Sequence, residues 1–191
     1  MPGSALLKEE YSYTYAEYKD WDLSVHERFE LIDGVPHAMA GPTVRHQAIL
    51  GELFRQISNY LMGQRCKVYP APLDVRLFYE EDESDDTVVQ PDIVVICEEK
   101  KRGPEGCRGA PEFTIEILSP SNSAIEMERK FELYRDAGVK EYWVVDPENK
   151  RVRGHRFKED EIITHLYTAG DSAPIEVLGG IEIDLGPVFA E

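Results

Sequence analysis

The sequence predicts an α+β fold, α/β-like in pattern, in which a mixed central β-sheet is flanked by two main helices, with a short helix near the N-terminus. Apolar residues recur at helical spacing in two long segments, 46–61 and 121–138. Short apolar segments bounded by glycine, proline and charged residues surround them, as is typical of strands. The length of 191 residues predicts a single domain over 1–191.

The first part of the chain predicts a short helix, a hairpin and a long helix. A capping-box pattern at 14–17 predicts a helix over about 15–21. The Asp-Gly pair at 33–34 separates two apolar stretches and fits the tight primed turn of a β-hairpin. The long helix at 46–61 is expected to end at Gly63.

The rest of the chain predicts strands around the second long helix. Ser121, Asn122 or Ser123 is expected to cap that helix, and Gly138 to end it. The acidic stretch 80–86 is interpreted as a solvated loop, and 98–110 as a further loop. The predicted strands cover 68–79 with bends at its prolines, 93–96, 113–118, 141–146, a hairpin of 151–157 with 162–167, and a last edge strand at 181–185.

The net charge of −16 argues against a generic nucleic-acid binder, which should be basic. The charge is uneven, however: 80–106 holds ten acidic against three basic residues, whereas 149–158 holds five basic residues and no acid. An acidic protein can still bind a polyanion through a local basic strip and bound cations. Such binding should be weak at physiological salt.

Three widely spaced cysteines make a disulfide framework an unfavoured interpretation, and idle or buried thiols are expected. A reducing cytoplasm fits this cysteine usage. No apolar run approaches the roughly 20 residues that span a bilayer. The first residues lack a basic segment followed by a long apolar one, so no signal peptide is expected.

One lysine interrupts the apolar stripe of the second long helix. At about 100° per residue, Lys130 falls among the apolar positions. An ammonium group that faces a sheet is costly unless an anion meets it. A snorkelling side chain or an ordinary ion pair with Glu126 would explain it without function, but inward ionisable groups favour a functional site. The neighbours in the stripe are Met127, Phe131, Leu133, Tyr134 and Ala137.

Two acids near strand ends are the candidate partners. Asp92 opens the strand at 93–96, and Glu116 lies on the opposite side of its strand from Ile115 and Ile117. Each alone is explained equally well as an ordinary polar residue. Together with Lys130 they suit metal-assisted phosphodiester hydrolysis, with Asp92 and Glu116 holding Mg²⁺, or Mn²⁺ in its place, through hard oxygen ligands. The ion would activate water, and Lys130 would orient that water and neutralise the phosphate.

Several motifs carry a family resemblance that runs from about Thr14 to about Phe189. They are Gln90–Ile96, Glu116–Ser121, Lys130–Tyr134, Ala137–Val139 and Glu141–Pro147, together with Phe29–Gly34 and the pair Pro42 and His46. In this combination the chain resembles the Uma-type restriction endonucleases of the PD-(D/E)XK nuclease superfamily.

The resemblance implies a restriction-endonuclease-like fold and assigns the site. Asp92 matches the Pro-Asp carboxylate, and Glu116 matches the second acid. The superfamily's usual lysine position, two residues after that acid, is Leu118 here. In the resembled family the lysine is moved to the following helix, which matches Lys130. Glu30 matches an N-terminal acid that is often counted with such sites.

Four further residues are secondary candidates. Gln90 is expected to line the site, and His46 to approach it from the first long helix, although a surface or capping histidine is at least as good an interpretation of His46. Arg151 and Arg153 share one face of a predicted strand and are candidates for phosphate contact. A solvated hairpin face is the more ordinary explanation of the two arginines.

The expected function is therefore a metal-dependent endonuclease that hydrolyses DNA, expected to be cytoplasmic and a homodimer. A symmetric dimer would suit the cutting of two strands. Two alternatives stay open: a non-catalytic acidic interaction module on a decayed nuclease fold, and a nuclease that acts on RNA or on special DNA structures. Fold alone does not decide the substrate.

Overall fold

The computed structural model describes residues 12–21, 28–120, 123–159 and 161–190. The predicted absence of a signal peptide concerns the start of the chain, which lies outside these ranges. The cap candidates Ser121 and Asn122 also lie outside them. In the described part of the chain, no helix has both the length and the apolar character needed to cross a membrane.

Four helices and thirteen strands follow one another in the described ranges. The helices are α1 Tyr15–Tyr18, α2 Val44–Tyr60, α3 Ala124–Ala137 and α4 Leu185–Val188. The strands are β1 Arg28–Ile32, β2 Val35–Met39, β3 Lys67–Pro70, β4 Val75–Arg76, β5 Val88–Val89, β6 Ile93–Ile96, β7 Cys107–Arg108, β8 Phe113–Ile117, β9 Glu141–Asp146, β10 Arg151–Phe157, β11 Ile162–Thr168, β12 Ser172–Ile175 and β13 Ile181–Asp184.

The central sheet has six strands in the order β11-β10-β9-β8-β6-β3. Strands β8 and β9 are parallel, while the other neighbours are antiparallel, so the sheet is mixed as predicted. Its two faces carry separate apolar cores. One face packs against α2 through Leu53 and Ile57, and the other packs against α3 through Leu133 and Tyr134. The predicted α+β fold with two main flanking helices is confirmed.

A second sheet has the order β2-β1-β5-β4-β7. The predicted hairpin forms its edge, and Asp33 and Gly34 have positive φ angles of 50° and 74°. These angles fit a tight primed turn. The sheet matters for function because β1 carries Glu30 toward α3.

The last strand lies at a sheet edge, as predicted, but the sheet is a separate one, and Leu185 of the predicted strand begins α4 instead. β13 pairs with β12 in a separate two-stranded sheet and is not an edge strand of the central sheet. Its Ile181 and Ile183 lie in the same apolar core as α2. The alternating pattern identified the strand and its buried side, but alternation does not say which strand will pair with it.

The predicted caps of α3 are found where they can be described. For α2, the cap at Thr43 was not predicted, and the helix ends at Tyr60, before the expected Gly63. Ser123 caps α3 by accepting a hydrogen bond of 3.1 Å from the amide of Glu126, and Gly138 ends the helix with a φ of 93°. Thr43 caps α2 in the same way by accepting from the amide of His46. These caps fix where α2 and α3 begin, and so fix which of their residues face the sheet.

The expectation of idle thiols is wrong for two of the three cysteines. Cys66 and Cys97 form a disulfide, whereas Cys107 is free and buried. The cause is strand register. Lys67 pairs with Ile96 in the antiparallel pair β3–β6, so Cys66, just before Lys67, lies opposite Cys97, just after Ile96. The argument for a reducing compartment loses its premise, and a cytoplasmic location stays a prediction.

Reduction of this disulfide should destabilise the protein without unfolding it at room temperature. The cysteines are 31 residues apart, and closing such a loop contributes about 3 to 4 kcal/mol in the chain-entropy treatment. The check is urea unfolding of the wild type with and without reductant, beside the Cys66→Ser/Cys97→Ser double variant. Reduced wild type and double variant should unfold at the same lower urea concentration. A midpoint that reductant does not move would contradict the pairing.

The acidic stretch 80–86 is a loop, as predicted, but it is not wholly solvated. Asp85 is 5% exposed and forms a bidentate salt bridge with Arg76. The Nε of Arg76 donates to Oδ2 of Asp85 at 2.8 Å. The Arg76 guanidinium also lies over the rings of Tyr15 and Tyr79, at 3.8 and 4.4 Å from their centroids. This buried pair fastens the loop to α1 and β4.

Candidate active site

The site is built around the side chain of Lys130, which faces inward as the helical pattern predicts. Lys130 is 4% exposed. Its ammonium donates hydrogen bonds to Glu116 Oε1 at 2.9 Å and to Glu30 Oε1 at 3.0 Å. The snorkelling alternative does not apply, because the charged end is itself buried among carboxylates. The geometry is that of a cation shared by two acids from different strands.

Glu116 reaches this point because of strand alternation. Ile115 and Ile117 of β8 lie in the core beneath α2. Glu116, between them, must therefore point to the other face, where α3 carries Lys130. The carboxylate is buried, with 8% of the residue exposed. Tyr134, one turn after Lys130, donates a hydrogen bond of 2.5 Å to the same Oε1.

Tyr134 was not recognised as a site residue from the sequence. Its position in the apolar stripe of α3 indicated core packing, and its ring is indeed fully buried. The available signal was its spacing of four residues from Lys130, which places both side chains on one face of the helix. A phenol there has a hydroxyl that needs a partner when buried.

Glu30 joins the site from the second sheet. Its Oε1 accepts from Lys130 and from the backbone amide of Gln90 at 2.9 Å. The Gln90 side chain in turn donates to Asp74 at 2.8 Å. The predicted roles of Glu30 and Gln90 as members of one site are thus matched by direct contact, although their chemical roles stay predictions.

Asp92 lies at the start of β6, next to Glu116 on the neighbouring strand. Its Oδ2 accepts a hydrogen bond of 2.7 Å from the amide of Ile117. Its Oδ1 lies 3.3 Å from Nε2 of His46, which α2 contributes. His46 is 8% exposed, so it is not the surface histidine that was the alternative interpretation. Its ring holds the Asp92 carboxylate in place.

These residues line one open cavity of about 600 Å³, here called the central cavity. The predicted site residues that line the central cavity are Glu30, His46, Gln90, Asp92, Glu116 and Lys130. The two arginine candidates are not among them. Arg151 pairs with Asp146 at 3.3 Å. Arg153 lines a different cleft, which adjoins the central cavity at Ser119.

Burial and the neighbouring charges shift the pKa values of Glu116 and Lys130 in opposite directions. Burial raises the pKa of the Glu116 carboxyl, and the Lys130 ammonium opposes that rise. Burial alone would lower the pKa of Lys130, but Glu116 and Glu30 raise it above its ordinary value. The lysine is therefore a permanent cation in the site. For His46, the hydrogen bond to Asp92 is the largest cause of a raised pKa.

The donor atoms suit a hard cation with few protein ligands. Asp92 and Glu116 offer carboxylate oxygens on adjacent strands to one cavity. Within the described residues, no three His, Cys, Asp or Glu side chains form a ready metal cage. Mg²⁺ commonly binds through one or two carboxylates, water and substrate phosphate, whereas structural Zn²⁺ needs four protein ligands. The set fits Mg²⁺ and does not fit structural zinc.

Comparison with known proteins gives the family and the fold. The sequence model of the Uma2 family, described as "Putative restriction endonuclease", matches residues 15–186. An uncharacterized protein of Synechocystis sp. is 25% identical over 165 residues, which cover 85% of this chain and 84% of that protein. A crystal structure titled as "a putative nuclease belonging to DUF820" from Anabaena variabilis superposes with a TM-score of 0.74 at 22% identity, over 93% of this chain and 97% of that one. At that identity the structural likeness establishes the fold.

Proposed function

Because the chain belongs to the Uma2 family of restriction-endonuclease-like proteins, we propose that it is a Mg²⁺-dependent endonuclease that hydrolyses the phosphodiester bonds of DNA. The observation that carries the proposal is the contact of Lys130 with Glu116 and Glu30 inside a cavity that Asp92 also lines. A buried cation beside carboxylates is costly to keep for stability alone. It is an arrangement that suits metal-assisted hydrolysis of a phosphodiester.

The metal would be held by Asp92 and Glu116, where it would acidify water and stabilise charge on the phosphate. The protein groups have separate tasks. The ammonium of Lys130 is fixed by two acids, so it can hold a water or a phosphate oxygen without reorganising. His46 and the Ile117 amide fix the Asp92 carboxylate. Tyr134 fixes the Glu116 carboxylate.

The net charge of −16 limits how this protein can bind DNA. With few basic side chains near the site, most neutralisation of phosphate would come from Lys130 and the cation. Affinity without the metal should therefore be low at physiological salt. A homodimer, which would place two such sites on two strands, belongs to the same proposal.

Cleavage of supercoiled plasmid tests the proposal. The wild type should nick or linearise DNA with Mg²⁺ or Mn²⁺ and stop when EDTA is added. Asp92→Asn should lose about 100-fold or more in rate, as expected when a charge-stabilising group is removed. Asp136→Asn is the matched control, because Asp136 is exposed on α3 and, among the described residues, its ion pair is a surface one with its neighbour Arg135. Wild-type rates for Asp92→Asn would refute the assigned site.

The non-catalytic alternative rests on the acidic character of the chain, and metal binding separates it from a nuclease. Calorimetric titration with Mn²⁺ should give one stoichiometric site in the wild type that is lost in Glu116→Gln. A decayed site should bind no Mn²⁺ and cut no plasmid. Testing a structured RNA and a branched DNA beside the plasmid decides between the substrate classes.

A further inference from the structure

A second cleft adjoins the central cavity on the side of Arg153. It has a volume of about 520 Å³ and lies between α3 and the strands β9 and β10. Ser119 lines both spaces, so they adjoin each other there. Two successive residues of α3 line different spaces: Lys130 lines the central cavity, and Phe131 lines the cleft. The cleft volume lies within the range of about 300–1,000 Å³ that is typical of small-ligand pockets.

The floor of this cleft, here called the aromatic cleft, is built of rings. Phe131 packs edge-on against His155 with centroids 4.8 Å apart. His155 stacks on Tyr142, its partner across β9 and β10, at 6.0 Å. Met127 and Val144, both half-buried, complete the apolar walls. Flat apolar surfaces of this kind suit a planar ring, because base–aromatic stacking does not depend on which base is bound.

The hydroxyl of Tyr142 is buried under the floor of the aromatic cleft. Tyr142 is fully buried, and its hydroxyl has no hydrogen-bond partner among the described residues. Buried polar groups nearly always have a partner. Burial, and then the nearby Glu116 and Glu30, raise the pKa of this phenol, so it remains a donor. Because the hydroxyl oxygen has no accessible surface, a bound group could accept from it only after the surrounding side chains move.

The charges around the aromatic cleft suit a nucleotide. Arg153, directly opposite Val144 in the strand pair, is exposed on the sheet side. Glu128 is exposed on the helix side and offers an acceptor. Burial, with a smaller contribution from Arg153, lowers the pKa of His155 to about 4, so its ring is neutral at physiological pH. The cleft thus has one cation at its mouth and an uncharged aromatic interior.

We propose that the aromatic cleft binds the base of an unpaired nucleotide adjacent to the scissile phosphate, with Arg153 contacting the phosphate on that nucleotide. The inference rests on the proposed nuclease function and makes its substrate more specific. In a continuous duplex the bases are stacked and paired, so they are not available to such a cleft. The preferred substrate is then a nucleic acid with an extruded, bulged or overhanging nucleotide beside the cleaved bond.

Fluorescence anisotropy in EDTA at low salt, where binding without the metal is strongest, tests this with three labelled DNA duplexes: fully paired, carrying one unpaired thymidine, and carrying an abasic site in the place of that thymidine. The wild type should bind the thymidine bulge about tenfold more tightly than the abasic bulge, as loss of one stacked base predicts. Ala124→Trp, at an exposed position that lines the cleft, should fill it and remove that difference. Arg153→Gln should weaken binding of both bulges, with a smaller salt dependence.

Arg135→Gln is the control, because Arg135 is exposed near the other end of α3 and forms a surface ion pair with the neighbouring Asp136. Its binding should match the wild type. Equal wild-type affinity for the thymidine and abasic bulges, with plasmid cleavage intact, would overturn the base site and leave the nuclease function standing. No binding and no cleavage of any nucleic acid would overturn both. A dimer that Ala124→Trp converts to a monomer would make the cleft a contact between copies and also overturn the proposal.

Discussion

Replacement of Lys130 by methionine is expected to lower the rate of DNA cleavage by at least about 100-fold, since a fixed cation at the phosphate is removed. Methionine keeps much of the side-chain volume and removes only the ammonium. Steady-state plasmid cleavage in Mg²⁺ is the measurement. Lys140→Met is the matched control, because Lys140 is exposed just beyond the same helix, and it should cut at the wild-type rate.

The same substitution should also affect stability, because Glu30 and Glu116 lose the ammonium that both contact. Removing one partner of a buried ion pair typically costs about 3–5 kcal/mol. Circular dichroism and urea unfolding should therefore accompany the assay. Lys130→Arg separates the two effects: it keeps the charge, but its planar guanidinium does not reproduce the ammonium geometry, so folding should recover more than cleavage. Full activity in Lys130→Arg would contradict a geometric role for the amine.

Replacement of Arg76 by methionine is the second large expected effect, and it concerns stability. Asp85 would keep a buried carboxylate without its cation, and the stacking of Arg76 between Tyr15 and Tyr79 would also be lost. The free energy of unfolding should fall by about 3–5 kcal/mol, measured by urea titration.

The chain offers a matched control for this experiment in Lys19→Met. Lys19 also forms an ion pair with the acidic loop, through Glu83, but both side chains are substantially exposed. An exposed pair contributes little, so this variant should unfold close to the wild type. The double variant Arg76→Met/Asp85→Leu should regain part of the lost stability, because no charge is left buried alone. Equal losses in Arg76→Met and Lys19→Met would show that burial of the pair is not what matters.

Much of the candidate site could be predicted because its members break local patterns. Lys130 is a charge in an apolar helical stripe, and Glu116 alternates with apolar strand residues. Such breaks are visible without coordinates, since helix and strand periodicities are fixed by backbone geometry. Tyr134 breaks no pattern, because a tyrosine is an ordinary member of an apolar stripe. Its contact with Glu116 became visible only in three dimensions.

For the two arginine candidates, the sequence pattern predicts the strand face but not the surroundings of each side chain. Arg151 and Arg153 share a strand face, as alternation predicts, yet they have different surroundings. Arg151 pairs with Asp146 beside the turn, while Arg153 lies at the mouth of the aromatic cleft. Alternation gives the side of the sheet, but the position of α3 over that sheet decides which arginine adjoins a cavity.

The sequence alone determined the two long helices, the six strands of the central sheet, their buried sides and the inward charge, because each depends on the order of neighbouring residues. Outside the two predicted hairpins, tertiary structure alone decided which strands became partners. Strand pairing brought Cys66 opposite Cys97 and placed β13 beside β12, and the packing of the second sheet delivered Glu30 to Lys130 across 100 residues of sequence. These contacts depend on register and on the packing of distant elements, and local patterns carry no information about either.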